Sequence, residues 1–181
     1  MKDKSNIKWC MNQMRKQRHD FMNYLQVIYG YLQINKPEEA LNYIKKINSR
    51  MYMLSQLYNL DNSYLSLIIN DIINSIERCA LEWQLKNLNF YISEEKLSKN
   101  INKYIENLDI FKQELYDILR KEFKKQEIYI DAKEIEEGVQ ILLYNDMEID
   151  LNNNNLNFIL ISENISLYKE NDKKIVMINI Q

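Results

Sequence analysis

Two apolar stripes separated by a single proline constrain this chain more than any other feature. From about residue 6 to residue 34, Ile7, Met11, Met14, Arg18, Phe21, Leu25, Ile28 and Leu32 recur at alternating steps of four and three. That is the heptad spacing of a helix with one packing seam, interrupted only by Arg18. Asn35, Lys36 and Pro37 break the run, and proline fits the first turn of a new helix, where a missing N–H loses no hydrogen bond. Glu38 and Glu39 follow, where negative charge complements a helix N-terminus. A second seam then runs through Ala40, Ile44, Ile47, Met51, Leu54 and Tyr58. Two seamed helices on so short a connection predict an antiparallel hairpin. Such a hairpin cannot bury both seams by itself. Pairing with a second copy into a four-helix bundle is the simplest solution, and burial against the rest of the chain is the alternative.

The pattern changes after Leu60. "DNSYLSLIINDIINSIERCALEWQ" reads as a helix capped by Asp61 or Asn62, with Leu65, Ile68, Ile69, Ile72, Ile73 and Ile76 on its apolar face. "KNLNFYIS" alternates like a strand, and another helix fits residues 104–125. "EIYID", "GVQILLY" and "NISLYKENDKKIVMINI" read as strands, the last a hairpin turning near Asn171 and Asp172. "LNNNNLN" reads as a loop. The chain is therefore expected to be α+β: a helical hairpin over residues 1–60 and an α/β domain over residues 61–181, with no internal repeat.

Composition removes several functions. The chain has 181 residues, of which 46% are hydrophobic and 28% charged, with a formal charge of −2, so no basic face calls for nucleic acid. Cys10 and Cys79 lie far apart and match neither a disulfide framework nor a CxxC site, and with one histidine a metal site is not expected. The N-terminus has no signal-like apolar core and "YLSLIINDIINSI" is broken by Asn70 and Asp71, so neither export nor a membrane span is expected, and the reducing cytoplasm is the expected compartment. Gly30 and Gly138 are the only glycines. A phosphate cradle needs several close together so that backbone can approach the ligand, which excludes the P-loop, the dinucleotide fingerprint and a glycine-rich ATP lid.

The one histidine, His19, directly follows the seam position of Arg18 and so flanks the seam, with its ring expected in water. Its helical neighbours at three and four residues are Arg15, Lys16, Met22 and Asn23. An imidazole in water is largely neutral at cellular pH and is a competent nucleophile. Arg15, Lys16 and Arg18 favour the arrival of an anion such as a phosphoryl group. Asn23 can hydrogen-bond a phosphoryl oxygen or the ring. Asp20 is adjacent in sequence and diverges by about 100°, so its contact with the ring is indirect or lateral. Position alone leaves the alternative of an inert surface histidine open.

The residues Arg18, His19, Asp20, Asn23, Leu25, Gln26, Ile28 and Gly30 resemble the phosphoacceptor helix of the sporulation initiation phosphotransferase B family and of related histidine kinases. "KPEEALNYIKKI" is similar to the start of the second helix in that group. The likeness covers about the first sixty residues. Beyond them it is one of layout, with a C-terminal domain similar to a degenerate kinase ATP-binding domain. It implies a homodimeric four-helix bundle that presents His19 for phosphorylation. In a true kinase of this group a helix rich in asparagine holds Mg-ATP. Aligned on "LYDILRKEFKK", its two key asparagines fall at Asp117 and Lys121, while Asn70 and Asn74 lie too early and read as scaffold.

The reading that follows is a histidine phosphotransferase in a phosphorelay, not an ATP-dependent kinase. His19 is the phosphoacceptor, Asp20 and Asn23 complete the catalytic set, and Arg15, Arg18, Met22 and Gln26 dock the partner. Arg18 serves either docking or, snorkelling from the seam, structure. The expected partners are response-regulator receiver domains and a second copy of the chain, with no nucleic acid and no membrane. No cofactor or metal is expected on this chain, and Mg²⁺ is expected from the receiver. Gly30 is expected to be a close-packing position, and Tyr24, Tyr29 and Tyr31 to pack or cover helix faces. The rivals are a helical-repeat scaffold, an active kinase, and a catalytically dead kinase relative that binds a response regulator or kinase as adaptor or inhibitor.

Overall fold

The computed structural model describes residues 2–88, 104–136, 138–149 and 156–180. It divides into two compact units, Met1–Gln56 and Leu57–Gln181. The chain is α+β, with helices first and a mixed sheet after them.

The first unit is built from α1 (Lys2–Gln33) and α2 (Pro37–Tyr58). α1 ends in a Schellman motif. Asn35 takes the left-handed conformation at φ 55°, the Lys36 N–H reaches the Tyr31 carbonyl at 2.9 Å, and the Asn35 N–H reaches Leu32 at 3.1 Å. Pro37 then occupies the first position of α2, and Glu38 and Glu39 sit in its first turn. The helices run antiparallel, because Tyr43 meets both Tyr24 and Tyr31 while Arg50 lies over the Tyr24 ring. Later residues of α2 thus face earlier residues of α1. Of the α2 seam, Ala40 and Leu54 are buried. The α1 seam is open: Ile7, Met11, Met14, Phe21, Leu25 and Leu32 are each 42–62% exposed.

The second unit starts by tying the end of α2 to α3 (Ser63–Arg78). The Ser66 hydroxyl donates to the Leu57 carbonyl, and the Tyr58 hydroxyl donates to Asn70 Oδ1. This is why the boundary falls before Leu57 rather than at the expected Leu60. Asn62, one of the two expected caps, receives the Leu65 N–H at 3.0 Å. The five isoleucines Ile68, Ile69, Ile72, Ile73 and Ile76 are fully buried. Each contributes roughly 1.5–3 kcal/mol by leaving water.

The expected extension of this helix through Gln84 is wrong. α3 stops at Arg78, because Ala80 turns left-handed at φ 55° and the Leu81 N–H closes back to the Ile76 carbonyl. Residues Glu82–Leu88 then form β1. The remainder of the expected "KNLNFYIS" strand and most of the asparagine-rich loop lie outside the described residues. The expected fourth helix is shorter than read, with α4 at Leu108–Glu122.

The remaining strands are β2 (Glu127–Ile135), β3 (Gly138–Tyr144), β4 (Ile159–Leu160), β5 (Ile165–Glu170) and β6 (Lys173–Ile180). They form one sheet in the order β1-β2-β3-β6-β5-β4, with β1 and β2 parallel and every other pair antiparallel. The β5–β6 turn falls at Asn171 and Asp172 as expected, with Asn171 at φ 53°, the sign that a tight hairpin turn requires. Register aligns buried rows across the sheet, such as Ile130, Leu143, Val176 and Leu167. α3 packs against α4 and β1. On the opposite face Leu142, Tyr144 and Ile175 form a smaller core, joined by Tyr129, Phe158, Tyr168 and Met177.

Candidate functional site

The candidate site occupies a little over one turn of α1. His19 is on the solvent side, with its side chain 73% exposed. Its Nδ1 lies 3.3 Å from Asp20 Oδ1 and 3.2 Å from Asn23 Nδ2. The Asp20 contact is direct and lateral, the second of the two expected forms. One helical turn brings Asn23 back under the ring.

These two contacts make opposite demands on Nδ1. A carboxylate can only accept, so Asp20 requires a proton on Nδ1. Asn23 as placed turns its Nδ2, a donor, to the same nitrogen, and a half-turn of the amide would present its oxygen to that proton instead. In that arrangement both neighbours accept from Nδ1–H, and the neutral ring keeps its lone pair on Nε2. No other described residue bonds to the ring. Nε2 is left without a partner among the described residues, the geometry of a nucleophile oriented through its other nitrogen.

The other expected site residues fall around this turn. Arg15, four residues before His19, is exposed, and its Nη1 donates to Asn12 Oδ1 at 3.4 Å. Arg18 is exposed at its seam position, while Lys16 is half-buried. Met22 and Gln26 are exposed, and together with Leu25, Ile28, Tyr29 and Leu32 they line an apolar groove of about 450 Å³. Tyr24 and Tyr31 pack against Tyr43 as expected, but Tyr29 stands in solvent. The expectation for Gly30 is not met within the chain, because an added Cβ would have nothing within 4 Å.

In the second unit, the two positions aligned with the kinase asparagines carry different chemistry. Asp117 accepts from Gln113 Nε2 at 3.1 Å, and Lys121 is exposed. Asn70 and Asn74 are buried in α3, in keeping with a scaffold. Among the described residues no group of three His, Cys, Asp or Glu side chains could hold a metal ion. No described helix is long and apolar enough to cross a membrane.

Sequence reasoning missed a polar cluster on the same unit. Glu122, buried at the end of α4, accepts from Lys169 Nζ at 2.8 Å, lies 3.9 Å from Lys121 Nζ, and gives its backbone carbonyl to Lys174 Nζ. The Lys169 hydrogen bond holds its carboxyl below the ordinary glutamate range, against the opposing effect of burial. No local motif announces a cluster whose members lie some fifty residues apart.

Known proteins resemble the chain unevenly. No curated protein sequence matches it. Among solved structures the histidine kinase AdeS of Acinetobacter baumannii aligns over 90% of this chain and 98% of its own, at 11% identity and a TM-score of 0.30, too low to carry an argument. Residues 1–60 match the family described as "Sensor_kinase_SpoOB-type, alpha-helical domain". The stretch that carries the hairpin and His19 is thus similar to the SpoOB-type sensor-kinase α-helical domain, a match that covers a third of the chain.

Proposed function

We propose that the protein is a histidine phosphotransferase, which moves a phosphoryl group between the aspartates of two response-regulator receiver domains by way of phosphohistidine at His19. The family match over residues 1–60 supports a role in two-component signalling. The observation that carries the finer reading is the exposed imidazole whose Nδ1 is occupied by Asp20 and Asn23 and whose Nε2 is open.

In the proposed step the Nε2 lone pair attacks the phosphorus of a receiver phosphoaspartate. The N–P bond forms as the P–O bond to the aspartate breaks, and the carboxylate leaves with the bonding pair. The ring gains positive charge, which the Asp20 carboxylate offsets through Nδ1–H. No proton needs to be transferred. Arg15 and Arg18 attract the transferring oxygens, while Mg²⁺ is supplied by the receiver. The reverse step delivers the group to the second receiver. Catalysis is then positioning and charge neutralisation, which asks little covalent chemistry of the protein.

The open α1 seam supports the accompanying proposal of a homodimer. A second copy laid on Ile7 through Leu32 removes this surface from water and leaves the His19 flank accessible.

The test is transfer of label from a purified phosphorylated receiver of the same cell. We expect acid-labile, base-stable phosphate on this chain, followed by its passage to a second receiver. His19→Ala should fold and take up none. Asp20→Ala should keep the acceptor but slow uptake on the order of a hundredfold, because the ring loses its orientation. Base-stable label on the His19→Ala chain, or none on the native chain, overturns the reading.

A further inference from the structure

We propose that Asp20 and Asn23 divide the life of the phosphorylated ring between them: Asp20 holds Nδ1 while it carries a proton and the phosphoryl group can leave, and Asn23 holds Nδ1 once that proton is gone and the group is kept. This division rests on the reading above, in which His19 takes the phosphoryl group on Nε2.

One atom meets two neighbours of opposite kind. Asp20 Oδ1 lies 3.3 Å from Nδ1 and can only accept, so it bonds to that nitrogen only when a proton is there. Asn23 turns Nδ2 to the same nitrogen at 3.2 Å, and an N–H bonds only to a bare lone pair. No single protonation state of Nδ1 satisfies both contacts. Two states used in turn do.

A phosphorylated ring has two such states. For the group to leave, the N–P bond breaks and its electron pair returns to Nε2. With Nδ1 protonated the ring departs as neutral imidazole. With Nδ1 bare it must depart as an imidazolate anion, a far poorer leaving group, which is why phosphohistidine is labile in acid and durable in base. Transfer to a receiver and loss to water both need the proton. A neighbour that fits the bare nitrogen therefore prolongs the store, and one that fits the protonated nitrogen readies it for release.

The surroundings leave the choice to this pair. Asp20 is the only acid within residues 15–26. Residues 40–58 of α2, the helix packed against α1, contain none, and Arg50 of that helix lies over the Tyr24 ring, 5.9 Å from its centroid. Arg15, Lys16 and Arg18 disfavour a further positive centre and so act in the same direction as Asn23. Any residue four positions on returns to the ring. An aspartate at position 23 would fit only the protonated state. Asparagine carries both a donor and an acceptor, so its amide can follow the proton.

The experiment loads the full chain with phosphoramidate, which passes its phosphoryl group to a ring nitrogen as ammonia leaves. His19 is the only histidine, so all phosphohistidine reports this site. Its decay is followed by phosphorus NMR from mildly acid to mildly alkaline pH, and the proton on Nδ1 by nitrogen NMR. Asn23→Asp keeps the shape but removes the donor. It should shorten the phosphohistidine half-life about threefold or more near neutral pH, and keep Nδ1 protonated to higher pH. Asn23→Ala should move both readouts the same way by less. Asp20→Asn removes the charge that favours the proton and should lengthen the half-life. A native half-life with native nitrogen shifts in Asn23→Asp overturns the division of roles. So does a shortened half-life in Asp20→Asn, or a stable product phosphorylated on Nδ1. Half-lives that change as expected in a chain that takes nothing from a phosphorylated receiver keep the grip on Nδ1 and overturn the phosphotransferase reading.

Discussion

The two units handle apolar surface in opposite ways. The sheet unit encloses its isoleucines, whereas the hairpin unit joins its helices through tyrosines and leaves its most regular apolar stripe in water. Burial within the chain is what stabilises the first. The second leaves a regular apolar stripe uncovered. A heptad pattern therefore specifies which face will be covered without saying by what.

Substitutions should sharpen that contrast. The largest effect on stability is expected from Ile72→Ala, which opens a cavity in the sealed core and should lower the unfolding free energy of the sheet unit by about 2–5 kcal/mol in urea titrations. Leu25→Ala should change unfolding of the dilute chain by less than about 0.5 kcal/mol, since the residue is already exposed. Sedimentation should instead show weaker self-association. An equal loss of stability in both variants would erase the distinction between the units.

Smaller effects test the helix ends. Asn62→Ala removes the acceptor for the Leu65 N–H and should cost about 1 kcal/mol in thermal or urea unfolding. Ala80→Gly relieves a left-handed alanine and should stabilise the chain by roughly 1 kcal/mol. The smallest effect concerns acid. Glu122 has a folded pKa below its unfolded one, so its contribution is present above the ordinary glutamate value of about 4.3 and is lost as pH falls through the depressed folded value. Glu122→Gln should remove that contribution at pH 7, change stability little at pH values below the folded pKa, and so flatten the acid limb of the stability curve.

Much of this was legible because it is local. The break at Pro37, the cap at Asn62 and the turn at Asn171 are each written in a few adjacent residues whose backbone preferences agree with the fold. The end of α3 was missed because the left-handed position carries alanine where glycine usually signals it. The two-residue β4 is too short to show alternation. Parallel pairing of β1 with β2 depends on what lies between them, and the Glu122 cluster on residues distant in sequence, so neither leaves a periodic trace. At the candidate site the ring's flanking position followed from the seam, while the shared grip on Nδ1 needed side-chain conformations.

That grip has a consequence of its own. Both groups that orient the imidazole come from within four residues of it on one helix, so the reactive nitrogen is set by a little over a single turn. Substitutions elsewhere in the chain that leave this turn helical therefore leave the orientation of the ring unaltered.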